Sequence, residues 1–196
     1  MTVRAFLGIS LAPHVRTLLS GCADAIRDAA PEWRGEKWVP AENLHVTLQF
    51  LGMVPETATE DVLAAVYAVC DKTGEFPFSV SAVEAVPRPR STSMLWARSS
   101  DDPTEMTELA HRIASGLAPL GYERERRPFT PHITLVRARQ PKPMGFEPLD
   151  VASRCLYTAG ERDKRMSVRG ITVYSSTLTP HGAHYEEIAF VPFAGD

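Results

Sequence analysis

The chain has 196 residues, 44% of them hydrophobic, 23% charged and 8% aromatic, and a formal net charge of −3. That length fits one domain, or two small lobes sharing one core, and the apolar content excludes long disorder. The negative balance excludes wholesale coating of a nucleic acid, which rests on many phosphate contacts, and no apolar run approaches the roughly 20 residues that span a bilayer.

In chain order, residues 3–10 alternate like a strand. They lack the basic leader and unbroken apolar stretch of a signal peptide, so a cytoplasmic protein is expected. An amphipathic helix follows from Pro13 to Ala30, with Val15, Leu18, Leu19, Cys22 and Ile26 on one face. Trp33 to Val39 lead through Pro40 to a strand over Leu44–Leu51, ended by Gly52. A helix is expected over Glu56–Cys70, then strands over Phe76–Ala85 and Met94–Arg98. A third helix runs from Pro103 to Leu120, stopped by Gly121. A charged stretch, Pro131 and a strand over His132–Arg137 come next, then a loop over Gln140–Gly145. Four short strands close the chain: Phe146–Val151, Cys155–Thr158, Ile171–Leu178 and His184–Phe190. Thr179–Gly182 connects the last two as a hairpin.

The order helix, charged stretch, proline, apolar strand thus occurs twice. It predicts an α+β protein of two similar lobes, each a sheet backed by helices, forming one catalytic domain over 1–196. The three cysteines, Cys22, Cys70 and Cys155, are far apart in sequence and form no C-x-x-C pair. Neither a disulfide frame nor a zinc knuckle is expected of them, and Cys22 and Cys70 read as core residues. Arg124, Arg126, Arg127, Arg137, Arg139 and Lys142 crowd one stretch, where they could attract a phosphate.

The two repeated strands read His45-Val46-Thr47-Leu48 and His132-Ile133-Thr134-Leu135. Side chains alternate faces along a strand, so each histidine shares a face with its threonine, about 7 Å along the chain. Two histidines suit the opening of a cyclic phosphodiester by water. One group takes a proton from water and another gives one to the departing alkoxide, and an imidazole near neutrality does either. Thr47 and Thr134 can donate to the non-bridging oxygens as charge builds there. No carboxylate accompanies either motif, so no metal or other cofactor is expected.

On these residues the chain resembles the two-histidine (2H) phosphoesterases, and among them the RNA 2′,3′-cyclic phosphodiesterases, or 2′-5′ RNA ligase-like proteins. The resemblance is carried by the Arg-Ala-Phe-Leu-Gly-Ile start, Trp38, Leu44–Gly52, Pro128–Arg137, Tyr174–Leu178, Gly182 and Tyr185. It implies a bilobal fold with a pseudo-twofold axis, two antiparallel sheets and a central cleft. The residues demand one acid and one base and leave open which is which. The resemblance makes His45 the proton donor to the leaving 3′-oxygen and His132 the proton acceptor, with a 2′-phosphate as product. The implied partner is RNA with a 2′,3′-cyclic phosphate end, tRNA fragments included, or a cyclic nucleotide, bound by a monomer away from membranes. Reversible 2′-5′ ligation and a non-catalytic nucleotide-binding module are the alternatives.

Four further residues are candidates for substrate contact. Arg137 suits a phosphate, but strict alternation turns it away from the cleft unless the strand bends. Gln49 has the parity of Thr47, whereas Phe50 has core parity. Phe129 and Tyr185 could stack on a base. His14, His111, His181 and His184 read as structural, and Arg162, Lys164 and Arg165 as a solvated turn or an RNA-facing loop.

Overall fold

The computed structural model describes residues 2–99, 104–123, 127–179 and 182–194. Its elements are β1 (Thr2–Ser10), α1 (Pro13–Ala29), β2 (Lys37–Trp38), β3 (His45–Pro55), α2 (Thr59–Cys70), β4 (Phe76–Ser79), β5 (Ala82–Arg88) and β6 (Ser91–Arg98). These are followed by α3 (Thr104–Leu117), β7 (Ile133–Lys142), α4 (Phe146–Thr158), α5 (Glu161–Lys164), β8 (Arg165–Val168), β9 (Gly170–Thr179) and β10 (Gly182–Pro192). The main sheet runs β10-β9-β1-β3-β7-β6-β5, with β2 on β7, while β4 and β8 pair separately.

The main sheet is two antiparallel halves joined at one residue pair, Val46↔Ile133, between β3 and β7. β2 takes the next stretch of that edge of β7: Lys37 and Trp38 pair with Arg137 and Val136, and Val39 N donates to Leu135 O at 2.9 Å. Strand β3 therefore leaves β7 after one contact. A pair of helices backs each half. In one pair, α2 and α3 lie behind β3, β9 and β10; in the other, α4 lies against β5 and α1 packs on α4. The α1 stripe of Val15, Leu19, Cys22, Ala23 and Ile26 has helical spacing and is buried.

The segment before β2 is anchored to the end of β7. Lys142 Nζ donates to Glu36 Oε1 and to Glu32 O, both at 2.6 Å, and lies 4.8 Å over the Trp33 ring. Hydrogen bonding from Lys142, then from the Arg139 amide, holds the Glu36 carboxyl below its ordinary range. Lys142 is thus a structural cation and is withdrawn from the basic cluster. Arg124 and Arg126 of that cluster lie outside the described residues, as do Pro103, Pro180 and His181.

Several expectations are corrected. Residues 146–158 form the helix α4, not two strands. Its buried Pro148, Ala152 and Leu156 recur every four residues, while its strand-favouring Phe146 and Tyr157 are exposed. β7 continues through Lys142, so residues 140–142 are not a loop. Gly52 does not end β3; at φ +70° it carries the strand onward to Pro55. The stretch expected as one strand over Phe76–Ala85 divides into β4 and β5. Cys22 and Cys155, distant in sequence, meet between α1 and α4 as free thiols. Burial first, and the Cys155 hydrogen bond second, push Cys22 well above its ordinary value. Among the described residues no helix is long and apolar enough to cross a membrane.

Gly121 closes the turn after α3 at φ +86°, with open space where a Cβ would stand. Gly121→Ala therefore meets no clash and costs only the left-handed conformation, about 1 kcal/mol. Urea unfolding should show a lower midpoint with an unchanged slope.

Candidate active site

The antiparallel pair Val46↔Ile133 sets the two motifs across one another about a local twofold. Both residues are fully buried, so their neighbours His45, Thr47, His132 and Thr134 emerge together on the opposite face, each half-buried. The backbone treats both histidines alike. His45 Nδ1 donates to Asn43 O and His132 Nδ1 to Thr130 O, both at 2.7 Å. The acceptor is in each case the carbonyl two residues earlier, which turns His45 Nε2 toward Thr47. In neutral His45 that nitrogen accepts from the Thr47 hydroxyl at 2.9 Å. Asn43 also donates its amide to Ala183 O at 2.9 Å, tying the β9–β10 hairpin to the first motif.

The side-chain surroundings differ. The His45 ring sits in a wall of aromatics: Phe6 at 4.8 Å, Tyr185 perpendicular to it at 5.4 Å and Tyr174 at 5.7 Å. Tyr174 OH shares a 2.6 Å hydrogen bond with Ser10, which shares another at 2.7 Å with Thr172. Gly8 underlies this wall; a Cβ there would stand 2.9 Å from Val46 O and 3.4 Å from His45 Cδ2. Burial, and then the charges of Arg137 and His132, lower His45 to about 4 against the opposing bond to Asn43 O. His132 instead has the Trp96 indole stacked on it, 3.7 Å between centroids at 19°.

Both motif strands bulge at their fourth residue. β1 pairs Leu7 with Gln49 and Gly8 with Thr47, skipping Leu48; β6 pairs Leu95 with Val136 and Trp96 with Thr134, skipping Leu135. An extra residue exchanges the faces beyond it. Arg137 is thereby turned to the Thr134 side: its Nη2 lies 3.5 Å from Thr134 Oγ1 and Nη1 2.8 Å from Met94 Sδ. No carboxylate pairs with it among the described residues, so the strand bend that its reach required is present.

The same device corrects Gln49. It is 4% exposed, inside the core, where its amide donates to Tyr122 O at 3.3 Å. Phe50 takes the open face at 50% exposure, 5.9 Å from the Phe6 ring. Tyr185 does reach the site, whereas Phe129 packs against the core. Phe6, Phe50, Trp96 and Tyr174 were not predicted as site residues. The parity of Phe6, Gly8 and Ser10 in the first strand could have found Phe6, while the other three depend on pairing between distant strands. His14 donates through Nε2 to Arg165 O at 2.9 Å, and His184 lies 3.6 Å from Glu186. Arg162 and Arg165 line a separate recess of about 790 Å³ with His14, Phe76 and Met166. Among the described residues no three His, Cys, Asp or Glu side chains are grouped to hold a metal ion.

Residues 20–178 match the 2′-5′ RNA ligase superfamily. The chain belongs to this superfamily. Within it, the chain is similar to an RNA 2′,3′-cyclic phosphodiesterase of Archaeoglobus fulgidus, 32% identical over 156 residues covering 79% of this chain and 82% of the relative. It is also similar to one of Aquifex aeolicus, 28% identical with 93% of each chain covered. Among solved structures, TT0787 of Thermus thermophilus superposes with a TM-score of 0.78 at 25% identity, covering 98% of this chain and 99% of the other. The 2H phosphoesterase fold expected from the motifs is therefore the fold of this superfamily member, with the two His-x-Thr strands back to back at its centre.

The depressed His45 links folding to pH. Its folded value, about 4, lies below its ordinary 6.5, so the unfolded chain binds the proton more readily. Its contribution to stability is complete above pH 6.5 and is lost as pH falls toward 4. Unfolding midpoints of wild type should decline through that window, and those of His45→Gln should decline less.

Proposed function

We propose that the chain hydrolyses 2′,3′-cyclic phosphates at RNA ends to 2′-phosphates, without a metal, using His45 and His132 to move protons. The carrying observation is the pairing at Val46↔Ile133, which gathers two imidazoles and two hydroxyls on one face. The names of the relatives support the substrate. The water oxygen attacks phosphorus and gives its proton to His132. The bond from phosphorus to the 3′-oxygen breaks, and that oxygen takes a proton from His45. Thr47, Thr134 and Arg137 stabilise charge on the non-bridging oxygens. Phe50 and Tyr185 offer rings for the terminal base.

The low value of His45 adds a condition. In the free site the ring is neutral, so its donor role depends on the bound phosphate anion favouring the imidazolium. The same observation favours a second reading in which the roles are exchanged. A histidine held neutral is a ready base, and His132 would then carry the proton for the leaving group.

The test is hydrolysis, in excess EDTA, of an oligoribonucleotide ending in a 2′,3′-cyclic phosphate. A 2′-phosphate product is expected; turnover only after metal is restored overturns the proposal. His45→Ala and His132→Ala should each lower kcat about 10²- to 10⁴-fold, with unfolding midpoints near wild type. The kcat/KM profile should be bell-shaped, with its acid limb reaching toward pH 4. A substrate with sulfur in place of the 3′-bridging oxygen needs no proton donor. It should rescue His45→Ala and not His132→Ala, and the opposite result assigns the exchanged roles.

A further inference from the structure

We infer that Trp96 is a positioning residue for His132, holding its imidazole by a face-to-face stack that favours the charged ring. The inference rests on the reading that His132 carries a proton during turnover, and it holds in whichever direction that proton passes. At 3.7 Å and 19° the rings lie nearly parallel and in close contact. Two neutral aromatic rings prefer offset or edge-on arrangements at centroid separations of about 4.5–7 Å, because their quadrupoles repel when stacked directly. A cation over an indole face has the opposite preference, and tryptophan provides the strongest such face. The geometry therefore suits an imidazolium better than an imidazole.

The indole nitrogen points the same way. Trp96 Nε1 is buried and has no hydrogen-bond partner, and an unsatisfied buried donor is a cost that phenylalanine or leucine would not carry. The N–H therefore does not explain an indole at this position, whereas the π face does. Trp96 also sits opposite Thr134 in the β6–β7 ladder, so its backbone is fixed by the strand that carries the second motif. With Nδ1 held by Thr130 O and one face covered by the indole, the His132 ring is kept in one orientation.

The charged groups around His132 make such a contact useful. Positive charges on His45 of β3 and on His132 disfavour one another, and Arg137, which lowers His45, stands on β7 beside Thr134. Arg98 on β6 is neutralised by Glu84 on β5 at 2.8 Å. The indole face and the Thr130 carbonyl weigh the other way. His45 has aromatic neighbours too, but Tyr185 stands perpendicular to it at 85°, Phe6 and Tyr174 are tilted by 34° and 42°, and all three are farther off, at 4.8–5.7 Å. The close, nearly parallel stack belongs to His132.

Trp96→Leu removes the π face, and Trp96→Phe keeps a weaker one. The His132 Cε1 proton is followed by NMR against pH in the substrate-free enzyme, beside kcat and KM for the cyclic-phosphate oligoribonucleotide. In Trp96→Leu, His132 should titrate at lower pH than in wild type, and kcat should fall about tenfold with KM within twofold. Trp96→Phe should lie between. If Trp96→Leu does not fold, a smaller displacement of the same sign in Trp96→Phe supports the inference. An unchanged His132 titration in a folded variant overturns it. Because the titration needs no turnover, a wild-type enzyme that fails to hydrolyse the substrate refutes the proposed function and leaves this test decisive.

Discussion

One pair of residues holds the two halves of the sheet in register. Val46 and Ile133 pair alone because β2 occupies the adjoining edge of β7, so β3 diverges as soon as contact is made. Two sheets hydrogen-bonded over many residues would form a continuous surface with the histidines spread along it. A single pair lets the sheets splay, and the four motif side chains that flank it converge. Its burial does the rest. With Val46 and Ile133 fully enclosed, a slip of one residue in either strand would turn both a histidine and a threonine into the core. The identity of the middle residue in each His-x-Thr motif is thus a condition for the site, even though neither apolar side chain faces it.

The bulges at Leu48 and Leu135 complete the site by breaking the rule that built it. Up to the fourth motif residue, alternation holds and the faces can be read directly from the sequence. Beyond it the parity reverses, and for this reason Gln49 was expected in the cleft and is in the core, while Phe50 took its place. Arg137 was expected to reach the site only through such a bend. A bulge leaves little trace in a single sequence, since Leu48-Gln49 and Leu135-Val136 read as ordinary strand residues. It becomes visible only when the pairing with β1 or β6 is known. The motif histidines and threonines, the first three helices and the repeated layout were all legible, because each depends on local periodicity. Trp96 and Tyr174 were not, because each reaches its histidine across strands distant in sequence.

The helix over 146–158 was misread for a different reason. Its buried stripe holds Pro148, Ala152 and Leu156, only one of them large, so the helical period is faint. Its exposed Phe146 and Tyr157 contribute strand propensity without contributing packing. What makes this segment a helix is α1 beside it and β5 beneath it, a tertiary context that overrides local preference. The misreading left the site unaffected, because α4 backs the sheet on the face away from the histidines.

The proposed acid–base mechanism asks two histidines for different tasks, which a symmetric backbone cannot by itself supply. Each donates Nδ1 to the carbonyl two residues before it, in the same geometry, and each sits next to the same central pair. Acid–base chemistry needs their proton affinities pushed apart, so the difference has to come from side chains that the pseudo-twofold does not relate. At His45 these are Phe6, Tyr174 and Tyr185, which exclude water and disfavour charge. At His132 the neighbour is an indole face, which tolerates charge. The cation of Arg137 adds to this at His45, where water is least able to screen its repulsion. A phosphate bound in the cleft would oppose that field at His45. The asymmetry of the cleft is therefore one that its own substrate, by carrying negative charge, is suited to relieve.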